Sequence, residues 1–136
     1  MTNLQWNDTY SVGFKLIDDQ HKILISLIND LYVAQRFGTL HTAIIGVLEK
    51  LAAYTVYHFN AEKELFAQYK YPKTSEHLAE HDYFVDKVKG FQQELNSGGI
   101  LLSLKTIDFL KDWTITHILG SDKEFGEFVK QQESRL

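Results

Sequence analysis

Cysteine is absent from the whole chain, and that single absence removes disulfides, thiolate zinc sites, iron–sulfur clusters and thiol catalysis together. Any metal here must be held by nitrogen and oxygen. No apolar run approaches the roughly 20 residues needed to span a bilayer, and the start, Met-Thr-Asn-Leu-Gln-Trp, lacks the basic and apolar regions of a signal peptide. The expectation is a cytoplasmic protein with no membrane contact. Positive charge is also scarce: 14 Lys and Arg stand against 18 Asp and Glu, for a net charge of -4. The lysines form no stripe, so the electrostatic footprint of a nucleic-acid binder is missing. There is no internal repeat or low-complexity segment. At 136 residues the chain suits one domain, 1–136, large enough to bury its own core.

What is present is helical periodicity. Residues 1 to 16 hold Trp6, Tyr10, Val12, Gly13 and Phe14 without a sustained period, which predicts an irregular aromatic-rich arm. From Asp18, read as an N-cap, the stripe Ile17, His21, Leu24, Ile28 and Leu31 predicts a first helix to about Arg36, with Gly38 closing it. A second helix runs from about Leu40 to Lys70, where the only proline, Pro72, blocks its continuation. It is long, about 45 Å at 1.5 Å per residue. The third begins near Thr74 or Ser75 and stops at the turn Asn96-Ser97-Gly98-Gly99. The fourth starts near Ile100 or Leu101, carries Ile107, Leu110, Trp113 and His117 inward, and is interrupted at Gly120-Ser121. Asp122 to Gln132 reads as a short terminal helix. Long helices joined by short turns make consecutive helices neighbours, so the fold expected is all-α: an antiparallel up-down-up-down four-helix bundle with an irregular N-terminal arm and a short C-terminal helix.

The stretch from His58 to His81 organises this bundle. His58 and Glu62 are four residues apart, as are His77 and His81, and that spacing stacks each pair on one helix face. Glu62 continues the apolar stripe Ile44, Leu48, Leu51 and Tyr54, where a carboxylate costs on the order of several kcal/mol unless it is paired or bound to a metal. His21 opens the first helix and His117 closes the fourth. In an up-down bundle all these places fall at one end, and Glu62 stands ten residues before Pro72 while His81 stands nine after it. Five histidines and a carboxylate therefore converge in one layer. Packed without a metal, so many imidazoles leave buried nitrogens unpaired and repel when protonated. They also exceed what one ion needs, so two ions sharing a bridge is the natural count. Asp122 is the candidate second bridge. It lies about 140° round an ideal helix from His117, so it joins them only where the backbone widens, as a π-type bulge at Gly120-Ser121 allows; otherwise it caps the terminal helix. Imidazole with carboxylate suits iron, manganese or zinc. An excess of neutral ligands favours ferrous iron and points to reversible binding rather than substrate oxidation.

These residues resemble the hemerythrin family, in particular its single-domain bacterial members. The likeness rests on Trp6 and Val12-Gly13 in the arm, Ile17-Asp18-Asp19-Gln20-His21, His58-Phe59 with Glu62, Tyr71-Pro72, His77 and His81, then Trp113, His117-Ile118 and Asp122-Lys123. The resemblance implies that His77, His81 and His117 hold one iron, that His21 and His58 hold the other, and that Glu62 and Asp122 bridge the two beside an oxo or hydroxo group. It implies reversible dioxygen binding at an open position on the iron with two histidines. Two departures stand out: Lys63 and Lys70 occupy places where the family often has Glu and Gly, and both read as surface positions. Leu24, Ile25, Tyr54, Phe66, Trp113 and Ile118 are the candidate apolar wall. Thr114 and Gly120, each three residues from His117, are small and suggest a loose pocket. His41 reads as surface, and Gln20 as a neighbour supporting a ligand. The expected function is oxygen carriage, storage or delivery, without enzymatic turnover. The partners it calls for are dioxygen and a reductase or oxygen-consuming acceptor protein. The alternatives are a di-iron oxidase, peroxidase or nitric-oxide-reducing protein, and a sensor of oxygen, redox state or iron.

Overall fold

The computed structural model describes residues 4–95 and 100–134. Its helices are α1 (Lys15–Arg36), α2 (Leu40–Tyr69), α3 (Thr74–Glu94), α4 (Ile100–His117) and α5 (Lys123–Ser134), with a π-helical turn at Ile118–Asp122 between the last two. The four long helices form the expected bundle, α1 packed on α2 and α4 and α3 packed on α2 and α4. The turn expected at Asn96 to Gly99 lies outside the described residues. Among the described residues no helix is long and apolar enough to cross a membrane.

The two short connections close by the same device. At the end of α1, Thr39 N–H donates to Ala34 O and Gly38 N–H to Gln35 O, with Gly38 at φ 74°. At the end of α2, Tyr71 N–H donates to Phe66 O and Lys70 N–H to Ala67 O, with Lys70 at φ 51°. Both are Schellman closures, which place one residue in the left-handed region where glycine fits without strain. Lys70 occupies that place with a side chain.

The first helix starts earlier than its sequence suggests. Asp18 is not the N-cap: α1 begins at Lys15, and Phe14 precedes it without a side-chain cap. The Asp18 carboxylate instead accepts from Ser11 Oγ at 2.5 Å and from Val12 N–H at 2.8 Å, so it ties down the arm. The arm is accordingly two residues shorter than expected, with a 3-10 turn at Asp8–Tyr10. Leu4 and Val12 are buried. The arm backbone crosses α5 at Gly126, where a Cβ would stand 1.9 Å from the Val12 carbonyl oxygen. Away from the histidine layer the interior is aliphatic, built from Leu31, Leu40, Ile44, Leu48, Leu95, Ile107 and Leu110, all at most 1% exposed.

Candidate metal centre

Each element delivers its polar side chains to one layer. α1 supplies His21; one turn of α2 supplies His58 and Glu62; one turn of α3 supplies His77 and His81; and α4 ends on His117. The π turn supplies Asp122. An α-helix sets residues five apart on different faces, whereas a π turn closes i to i+5, so the widening at Ile118–Asp122 carries Asp122 round beneath His117. All five imidazoles are buried, and both carboxylates are 0% exposed.

Every imidazole turns Nε2 toward the carboxylates. His21 Nε2 is 3.0 Å from Asp122 Oδ2, and His77 and His117 Nε2 are 2.9 and 3.3 Å from Asp122 Oδ1. His58 and His81 Nε2 are 3.1 and 3.3 Å from Glu62 Oε1. His81 Nε2 and His117 Nε2 stand 3.2 Å apart. The side chains sort into two groups, each with donor atoms within 4.8 Å of one another: Glu62, His77, His81, His117 and Asp122, and His21, His58, Glu62 and Asp122. Both carboxylates belong to both groups. The spatial grouping divides the histidines three and two.

As polypeptide alone the centre is poorly satisfied. Both oxygens of Glu62, both of Asp122 and both nitrogens of His77 are buried without a hydrogen bond of acceptable geometry. Burial and the charge of Asp122 push the Glu62 carboxyl upward, but His58 and His81 outweigh them and hold it below its usual range. Burial likewise opposes the charge of Asp122, and His117 and His21 hold it well below the ordinary value. Burial disfavours a charged His117, yet Asp122, Glu80 and Glu62 together push its imidazole up to about 10. His81 is pushed down, chiefly by burial. Two wholly buried carboxylates thus draw on imidazole protons for positive charge. Unpaired buried polar atoms cost about 1–3 kcal/mol each, and two cations replacing those protons would satisfy carboxylates and imidazoles together. Neutral imidazole and carboxylate are the donor types that iron, manganese and zinc accept, so the residues fit a pair of such ions.

Behind the donors, two of the five buried imidazoles have Nδ1 engaged by a described residue. His58 Nδ1 meets Gln20 Oε1 at 2.6 Å, in keeping with the supporting role expected of Gln20, and His117 Nδ1 meets Glu80 Oε1 at 2.8 Å. Donation from His117, opposed by burial and aided by Ser121, holds the Glu80 carboxyl down to about 2. Glu80 escapes sequence reading because its partner lies 37 residues on. It otherwise resembles any half-exposed glutamate on α3.

The apolar wall differs in part from expectation. A small space against His21, His58, His117 and Asp122 is lined by Leu24, Trp113 and Ile118 as expected, together with Leu51, Thr55, Phe59, Phe84 and Thr114. Ile25, Tyr54 and Phe66 do not line it. At His21 and His58 the neighbour three residues away, Leu24 or Thr55, faces the space, whereas Ile25 and Tyr54, four away, do not. Phe66 packs instead on the His77 ring, 4.5 Å between centroids. Phe59 lies flat on His81 at 3.7 Å and Trp113 on His117 at 4.5 Å. Both added phenylalanines stand at helical spacing from a ligand, Phe84 three residues beyond His81 and Phe59 three before Glu62. Gly120 is exposed, and a Cβ there would meet nothing within 4 Å. It therefore does not loosen the pocket; of the two, Thr114 is the one that lines it. His41 is exposed, as expected, with Nδ1 3.2 Å from Ser103 Oγ at the other end of the bundle.

Comparison with known proteins agrees with this geometry. The family described as the Hemerythrin HHE cation binding domain matches residues 12–129. A bacteriohemerythrin of Stenotrophomonas maltophilia is 33% identical over 132 residues, 96% of this chain and 84% of that protein. One of Pseudomonas aeruginosa is 32% identical over 137 residues, covering 100% and 88%. A crystal structure of wild-type hemerythrin superposes with a TM-score of 0.78 at 28% identity, covering 93% of this chain and 95% of that one. With a four-helix bundle of matching shape, a family match over nearly the whole length and a buried cluster of histidines and carboxylates suited to two metal ions, the chain belongs to the hemerythrin family.

Proposed function

We propose that the centre holds two iron ions and binds dioxygen reversibly. The observation that carries this reading is the sharing of two fully buried carboxylates, Glu62 and Asp122, between a group of three histidines and a group of two. Glu62, Asp122, His77, His81 and His117 would hold one ion with five side chains; Glu62, Asp122, His21 and His58 would hold the other with four. When bound, the pair would supply two electrons that can be lent to dioxygen and recovered. The protein does the rest. Gln20 accepts from His58 Nδ1–H and so keeps the Nε2 lone pair turned inward. Leu24, Phe59, Trp113 and Ile118 line the space beside His21 and His58 with apolar surface, which excludes water from it. Five imidazoles against two carboxylates bring little negative charge to the centre, which would favour the reduced state of a bound pair.

A reductase able to restore an oxidised centre and an acceptor that consumes oxygen are the partners this function calls for, in a cytoplasmic setting. The test is anaerobic reduction of iron-loaded protein followed by exposure to dioxygen and its removal. The expected result is two irons per chain and a visible absorption band that appears with the gas and disappears without it. A one-way change to the oxidised spectrum would overturn the carrier reading in favour of an oxidase or redox sensor at the same centre.

A further inference from the structure

The two groups of ligands differ in more than histidine count. Nδ1 of His21, His77 and His81 is buried without a protein partner. The two engaged imidazoles fall one in each group, His58 among the four-residue set and His117 among the five-residue set. Their acceptors carry different charge. His58 faces the neutral amide oxygen of Gln20, whereas His117 faces the carboxylate of Glu80. Glu80 is itself fixed, since Ser121 Oγ donates toward its two oxygens at 2.8 and 2.7 Å. Ser121 sits in the π turn directly before Asp122, so the widening that brings in the second carboxylate also places the hydroxyl that holds Glu80.

A carboxylate accepting from Nδ1–H makes the opposite nitrogen a stronger donor and fixes the ring's direction, more than a neutral amide does. We propose that Glu80, held by Ser121, is a positioning residue that makes the two metal positions unequal, tightening the position formed by His77, His81 and His117 relative to that formed by His21 and His58. This inference rests on the two-ion reading above. A purely structural role, linking α3 to the π turn, would lower the stability of the metal-free protein as well.

The experiment is an anaerobic titration of metal-free protein with isotopically enriched ferrous ion, following the two inequivalent irons by Mössbauer spectroscopy. In the unaltered protein the position with three histidines should fill first. Glu80→Gln keeps the size of the side chain and removes the charge. It should weaken that position about 10- to 100-fold and leave the other unchanged, while Gln20→Glu should strengthen the other position and narrow the gap. The Glu80 side chain is 43% exposed, so the variant should fold, which far-UV circular dichroism checks. Ser121→Ala, which leaves Glu80 in place, should shift the same position in the same direction by a smaller factor. Two ions bound with both affinities unchanged in Glu80→Gln, or lowered equally, would overturn the positioning role alone. Fewer than two ions in the unaltered protein would overturn the two-ion reading with it.

Discussion

The two ends of the bundle are built on opposite principles. At the end where α1 closes and α2 opens, Leu31, Leu40, Ile44, Leu48 and Ile107 fill the interior with aliphatic side chains at most 1% exposed. Burial of this kind, at about 25 cal/mol per Å2, needs no ligand. At the other end the same helices bury five histidines and two carboxylates, groups whose burial opposes folding unless something pairs with them. The aliphatic end holds the helices in register, and that register lets the polar end keep donors assembled that would otherwise be expelled into water. Scaffold and site are separated along the length of the helices rather than between core and surface.

Removing metal should break this comparison most strongly. A ligand that binds only the folded chain stabilises it by RT ln(1 + [L]/Kd), about 4 kcal/mol at a thousandfold excess over Kd. Stripping the ions with chelator should therefore cost about that much or more. The loss should also be local. Amide hydrogen exchange should accelerate around 58–62, 77–81 and 117–122, while 44–51 retains most of its protection. Equal acceleration at both ends would mean that the aliphatic end is not self-supporting.

The converse perturbation is Leu48→Ala, in the aliphatic end and 0% exposed. Truncating a buried leucine typically costs about 2–5 kcal/mol. Global stability in denaturant should fall by that amount, with two metal ions per chain retained under native conditions. Loss of metal in parallel with stability would show that the two ends are not separable.

Most of this division can be read in the sequence, for a definite reason. Helical spacing alone puts His58 with Glu62 and His77 with His81, Pro72 sets the turn between them, and short connections bring the remaining helix ends to the same level. Gly120-Ser121 even marks where the backbone widens. What stayed illegible depends on contacts between distant segments. Asp18 lies near a helix start, as a cap should, but its partners are Ser11 and Val12 in the arm. Glu80 lies between two conspicuous histidines and works through a third on another helix. Gly120 is three residues from His117 and yet exposed, because the π turn alters which residues face inward after Ile118. Periodicity tells which face a residue shares, and it says little where the period itself changes or where a side chain reaches across to another element.

The smallest expected effect concerns the two connections, one at each end. Gly38 and Lys70 occupy the same left-handed place in the same closure, but only Lys70 carries a Cβ against the following carbonyl, a conformation costing about 1–2 kcal/mol for a residue other than glycine. Lys70→Gly relieves that cost and gives back part of it as added freedom of the unfolded chain, about 0.5–1 kcal/mol. The net gain should be roughly 0.5–1 kcal/mol, or about 2–4 °C in Tm. Lys70 is exposed and outside the ligand set, so metal content should stay the same. An unchanged Tm would count against strain in this turn. A rise in Tm together with tighter metal binding would show that the connection leading from Glu62 to His77 is held under tension against the centre, and the separation of scaffold from site would then fail at this turn.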